Sequence, residues 1–232
     1  MDSNKKVART AGLLYLTVVV TGIFSLIYVP SQITVPGDAS ATVSNIVTSQ
    51  SLFRLGIVAG LICYTAFLLL PLALYKLLSS VRKNVAVLMV AFAVVSVPIS
   101  FVSILNKLDI LTLLSGADYL KVFTADQLHA RVMLSLAAYS NGILVSSLFW
   151  GLWLLPFGYL VFKSGILPRV LGILLMIGCF GDVFDFLGRA LFSGYADTAL
   201  ASLATYPGSF GEIGICLWLL SMGARERNPS RA

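Results

Sequence analysis

Asp182, Asp185 and Arg189 form the strongest chemical signal in this chain, within Gly181-Asp182-Val183-Phe184-Asp185-Phe186-Leu187-Gly188-Arg189. The i, i+3, i+7 spacing places all three on one face of a helix. The stretch lies inside an apolar segment that begins at Pro168. At ~1.5 Å per residue, Asp182 is ~21 Å along that segment, short of the far edge of a ~30 Å hydrocarbon core. Charges at such depth are costly and usually face a protein interior or a wet cavity.

Further polar residues fall at the same end of other apolar segments: Glu212, Arg54, Asn141, and Asn106 with Lys107 and Asp109. His129, Arg131 and Tyr139 belong to the same band, whereas the opposite half of each segment is nearly free of ionisable groups. The asymmetry predicts an outward-facing polar pocket lined by Asp182, Asp185, Arg189, Glu212, Arg54, Asn141, Asn106 and Trp150. Phe149, Trp153, Phe180 and Phe184 are expected to complete its walls.

Two chemistries suit such a pocket. A carboxylate in an apolar wall can retain its proton and serve as a general acid. Asp182, Asp185 and Glu212 also carry the oxygen donors that a divalent cation prefers. Against both stands a structural alternative, in which Arg54–Glu212 and Arg189–Asp185 are ion pairs that fix helix register. His129 is expected on an exposed turn. The chain has no Gly-x-Ser-x-Gly elbow, His-Glu-x-x-His helix or phosphate-binding loop. One His rules out bis-histidine haem, and Cys63, Cys179 and Cys216 lack the paired spacing of zinc or redox motifs. No catalytic residue and no cofactor is assigned.

The elements that hold these residues follow from composition. The 232 residues are 58% hydrophobic and 11% charged, against ~25% charged in an average soluble domain. So few polar residues cannot coat a soluble globule. Six apolar segments are long enough to span a bilayer, at about 10–29, 52–75, 85–105, 125–162 with an extramembrane start, 168–187 and 207–222. The fold class is therefore all-α, a six-helix transmembrane bundle forming a single integral membrane domain over residues 1–232. The first segment exceeds a typical ~7–15-residue signal-peptide core and is expected to be retained, although Ala39-Ser40-Ala41 has the form of a weak cleavage site.

The net charge of +6 reads as a topology signal and not as a nucleic-acid footprint. Lys5, Lys6, Arg9, Lys76, Arg82, Lys83, Lys163, Arg169, Arg225, Arg227 and Arg231 fall on one side, and Arg54, Lys107, Lys121, Arg131 and Arg189 on the other. Eleven basic residues against five predict both termini on the cytoplasmic side of the cell inner (plasma) membrane. Thr124-Ala125-Asp126-Gln127 has the form of a capping box and predicts a helix from Ala125. Continued to Phe162 that helix is ~57 Å long, so either its first turns leave the membrane or it bends near Tyr139 to Gly142. Ile46 and Val47 mark a short interfacial helix between the first two spans.

The even-numbered segments share features. Ser51-Leu52-Phe53-Arg54-Leu55-Gly56-Ile57 resembles Ser209-Phe210-Gly211-Glu212-Ile213-Gly214-Ile215, with Ser140-Asn141-Gly142-Ile143 at the matching depth. Leu-Leu-Pro closes at Pro71 and again at Pro156. Three repeated helical hairpins would produce this pattern; so would chance alignment of apolar sequences.

Several stretches also carry a family likeness: Arg9-Thr10-Ala11-Gly12-Leu13-Leu14-Tyr15, Phe53-Arg54-Leu55-Gly56, Phe149-Trp150-Gly151-Leu152-Trp153-Leu154-Leu155-Pro156, and Ser164-Gly165-Ile166-Leu167-Pro168-Arg169. Through them the chain resembles, from Ala8 to Arg225, a bacterial family known as a domain of unknown function, family four-three-eight-six. The resemblance implies a multi-pass membrane protein and brings no activity or catalytic residue with it.

Three functions fit these readings. The first is binding of a lipid or small amphiphile in the polar pocket, with or without catalysis on it. The second is a non-catalytic membrane subunit or sensor acting through a partner docked on the loops. The third is a transporter, against which the dry inner half argues. The bilayer is the expected partner, nucleic acid is not, and the oligomeric state is open.

Overall fold

The computed structural model describes residues 3–224. The basic residues Arg225, Arg227 and Arg231 of the topology argument lie outside that range. The described residues are 87% helix, with no strand among them.

The first apolar segment forms α1 (Ser3–Gly22), a π-helical stretch (Ile23–Tyr28) and α2 (Val29–Ile33). Helix was expected to stop at Pro30. It continues through Pro30, with Tyr28 and Val29 before it in right-handed helical conformation. The wider π turn upstream changes the hydrogen-bond register ahead of the proline. After α3 (Ala39–Thr48) come α4 (Gln50–Leu78), α5 (Lys83–Leu113), α6 (Ala125–Ser164), α7 (Arg169–Leu191) and α8 (Ala199–Ser221).

Side chains cap two of the helix starts. Asp38 caps α3 by accepting from Ala41 N at 2.8 Å. The predicted capping box closes both ways: Thr124 N donates to Gln127 Oε1 at 2.9 Å, and Gln127 N donates to Thr124 Oγ1 at 3.3 Å. Ile46 of α3 is fully buried while Val47 is exposed, so only one of the pair anchors the helix. α6 then runs 40 residues without a break at Tyr139 to Gly142, ~60 Å at 1.5 Å per residue. Gly165, at φ +69°, ends it in the left-handed conformation that glycine adopts without strain.

Among the described residues, five helical stretches are long and apolar enough to cross a membrane: Asn4–Ile33, Gln50–Leu78, Lys83–Leu113, Ala125–Ser164 and Arg169–Leu191. The sixth expected span, from Pro207, lies within α8, which begins eight residues earlier at Ala199 and carries Pro207 inside it. Proline inside a helix removes one backbone bond, and neighbouring groups in a membrane bundle can compensate. Pro71, Pro98 and Pro156 are likewise internal to α4, α5 and α6.

Contacts divide the described chain into two compact units. One comprises residues 3–16, 66–97 and 144–224; the other comprises Thr17–Thr65 and Pro98–Ile143. We call them the α7/α8 unit and the π-segment unit. Their boundaries cut through α1, α4, α5 and α6 and do not coincide with three successive hairpins.

Candidate functional site

In the α7/α8 unit the carboxylates are set by small residues. A methyl group built on Gly178 would overlap Gly208 Cα, and one on Gly181 would overlap the Ala204 carbonyl. Only glycine lets the α7 and α8 backbones come this close. Asp182 follows Gly181 directly and occupies the resulting slot. A methyl on Gly151 of α6 would lie 2.7 Å from Asp182 Cβ, and one on Gly208 would lie 3.6 Å from Asp182 Oδ2.

The other two carboxylates are engaged. Glu212 Oε1 accepts a 2.7 Å hydrogen bond from the hydroxyl of Tyr15 on α1. Asp185 Oδ2 accepts from Arg189 Nε at 2.8 Å, the ion pair expected one turn apart on α7. Asp185 Oδ1 is buried without a hydrogen-bond partner among the described residues. No three His, Cys, Asp or Glu side chains among the described residues gather as a metal site. Of the three carboxylates considered from sequence for a cation, Asp185 and Glu212 are drawn to separate partners, Arg189 and Tyr15.

The aromatic residues expected to wall the pocket divide. Trp153 is buried and packs on Phe157 (centroids 5.0 Å apart), Phe67 (5.1 Å) and Tyr15 (6.4 Å), a column that supports the Tyr15 ring. Trp150 Nε1 donates to Ser96 Oγ at 3.2 Å. Phe180 and Phe184 are instead exposed, at 68% and 55%, as residues facing hydrocarbon would be.

Arg54, Asn106 and Asn141 belong to the π-segment unit. Arg54 and Asn141 are exposed. Asn106 Nδ2 turns back to the Ser103 carbonyl of its own helix at 3.1 Å. These three are surface or helix-bound groups within their unit.

What this unit does assemble is a cavity of about 280 Å³. Close helix contacts are made elsewhere in the same unit. The π turn buries Ser25 against Gly60, where a methyl would lie 3.0 Å from Ser25 Oγ. A methyl on Gly142 of α6 would overlap Ser103 Oγ of α5, so α6 lies close against α5 there. The floor is Val29, Ile33, Phe53, Lys107 and Tyr139, all buried; Thr34, Ala137 and Ser140 form an exposed rim. Lys107 is only 4% exposed, and its Nζ sits 3.9 Å from the centroid of the Tyr139 ring. From sequence Lys107 is one more polar residue closing the third span; nothing in its neighbours along the chain signals that α6 folds over it. A second cavity, about 440 Å³, is lined by residues including Asp109, Tyr119, Phe123 and Arg131. There the Arg131 guanidinium stacks 4.3 Å over the Phe123 ring.

Among known proteins, the family described as domain of unknown function DUF4386 matches residues 10–223. A protein of Archaeoglobus fulgidus, named only "Uncharacterized protein", is 32% identical over 153 residues, covering 66% of this chain and 74% of its own length. No solved structure matches the chain.

Proposed function

Because this chain belongs to the DUF4386 family, a family without an assigned activity, we propose from its own chemistry that it binds a membrane lipid or other small amphiphile. The observation that carries this reading is the 280 Å³ cavity of the π-segment unit. It has an apolar floor, an exposed rim of hydroxyls, and one buried cation. A purely polar solute would leave Val29, Ile33 and Phe53 unmatched. A purely apolar one would leave the cation unmatched. A molecule with both characters satisfies both.

In this reading the protein sits in the plasma membrane with six crossings and both termini cytoplasmic. The basic residues flanking the turns from Lys76 to Lys83 and from Lys163 to Arg169 support that orientation. At 23 residues, α8 would reach ~34 Å and is long enough to be the sixth crossing. The carboxylates of the α7/α8 unit act here as structural ties, a role supported by the Tyr15–Glu212 and Arg189–Asp185 bonds.

Native mass spectrometry of the detergent-purified protein tests the proposal, with Ala137→Trp as the control that fills the cavity mouth. Wild-type protein should carry or take up one single-chain amphiphile, and the variant should not. Equal occupancy of the two proteins, or none in either, would sink the reading.

A further inference from the structure

We propose that Lys107 makes this cavity selective for an amphiphile with an anionic headgroup, a carboxylate or a phosphate; the inference rests on reading the cavity as an amphiphile site. Among the described residues, the charged side chains that are buried are Asp185 and Lys107. Asp185 has Arg189. Lys107 has no counterpart: among the described residues no carboxylate lies within 4.0 Å of its nitrogen, and no hydrogen-bond acceptor is recorded for it. Among the described residues the Tyr139 ring face is its only charge-complementary neighbour, and a ring quadrupole compensates a buried cation far less than an anion does. Asp109, two residues further on, is exposed and lines the other cavity.

The position argues against ordinary snorkelling. A lysine near a helix end normally carries its ammonium out to water while its stem covers apolar surface. Lys107 stands six residues before the end of α5, yet is 4% exposed. Its side chain stays in the cavity wall. Inside a bilayer, alkyl chains gain little by moving from lipid to an apolar groove, since both are hydrocarbon. Selectivity must then come from the polar contact. A single anionic headgroup against Lys107, with its chain along Val29, Ile33 and Phe53, supplies the missing charge. The chain leaves past Ala137.

The test titrates the full-length protein in detergent with oleic acid, lysophosphatidic acid and monoolein, which share a chain and differ in headgroup. It uses wild type, Lys107→Met and Lys107→Arg. Wild type should prefer one anionic ligand over monoolein by about tenfold or more, the scale of a hydrogen bond to a charged group. Whichever anion binds more tightly identifies the headgroup. Lys107→Met should reduce the preference to about one while still binding monoolein, which also shows that the variant is folded; Lys107→Arg should keep the preference. A wild type indifferent to headgroup charge, or a preference that survives in Lys107→Met, overturns the charge assignment and leaves the amphiphile reading standing. Failure of wild type to bind any of the three overturns that reading and this inference together.

Discussion

The hydroxyl of Tyr15 donates to Glu212 at 2.7 Å across 197 residues of sequence, tying the first helix to the last within the α7/α8 unit. Tyr15 is 1% exposed and rests against Trp153, so the donor cannot swing to water. Tyr15→Phe removes the bond and leaves a carboxylate oxygen without its donor. The expected loss is about 1 kcal/mol or somewhat more, the cost of an orphaned polar group that is half-buried. Glu212→Gln keeps an acceptor at the same place and should cost less. Thermal melts in detergent give the comparison; a Tyr15→Phe melt that matches wild type would mean the bond contributes nothing net.

Arg189 and Asp185 present a different balance. The arginine side chain is 38% exposed and the aspartate side chain 12%, so removing the arginine strips a partner from the more buried member. Arg189→Ala is expected to destabilise by about 1–3 kcal/mol. Adding Asp185→Leu to it should recover part of that loss, because no unpaired charge remains. A double-mutant cycle in the same melts measures the coupling, and additive losses would contradict the pairing.

At the α7/α8 crossing the constraint is steric. Gly181→Ala drives a methyl group into the Ala204 carbonyl, a backbone atom that cannot rotate away. Overpacking of this kind costs about 1–3 kcal/mol. Gly165→Ala is a weaker perturbation of another kind: space is open around it, but its φ of +69° penalises any Cβ by about 1 kcal/mol. The first variant should lower the melting temperature clearly more than the second; the reverse order would mean the helices separate easily.

Much of the architecture is readable from residue types because lipid imposes it. Long apolar runs must be helical to satisfy their backbone groups, and the capping box at Thr124 is short-range chemistry. The spacing of Asp185 and Arg189 likewise predicts their pairing. What escapes is whatever depends on contact between distant segments. Glu212 looks like a partner for Arg54 by register, yet its donor is Tyr15, for which no spacing rule exists. Pro30 and Pro207 look like helix limits and are not, because a π turn precedes one and α8 simply extends back past the other. Lys107 resembles its neighbours Asn106 and Asp109 in sequence and differs from them only in being covered by Tyr139.

That covering makes Lys107 a point where stability and function should oppose one another. A buried ammonium without a carboxylate has given up hydration for a ring face alone. Methionine has nearly the same length, needs no counter-charge and fits the apolar wall of Val29, Ile33 and Phe53. Replacing buried charge by well-packed apolar groups is often stabilising, by about 1–4 kcal/mol. Lys107→Met should therefore melt at a higher temperature than wild type in the absence of added amphiphile. Adding the preferred anionic ligand should raise the wild-type melting temperature with ligand concentration, as mass action requires, and raise that of the variant no more than monoolein does. A Lys107→Met protein that melts well below wild type would mean the ammonium is already satisfied within the fold, leaving no deficit for a ligand to fill.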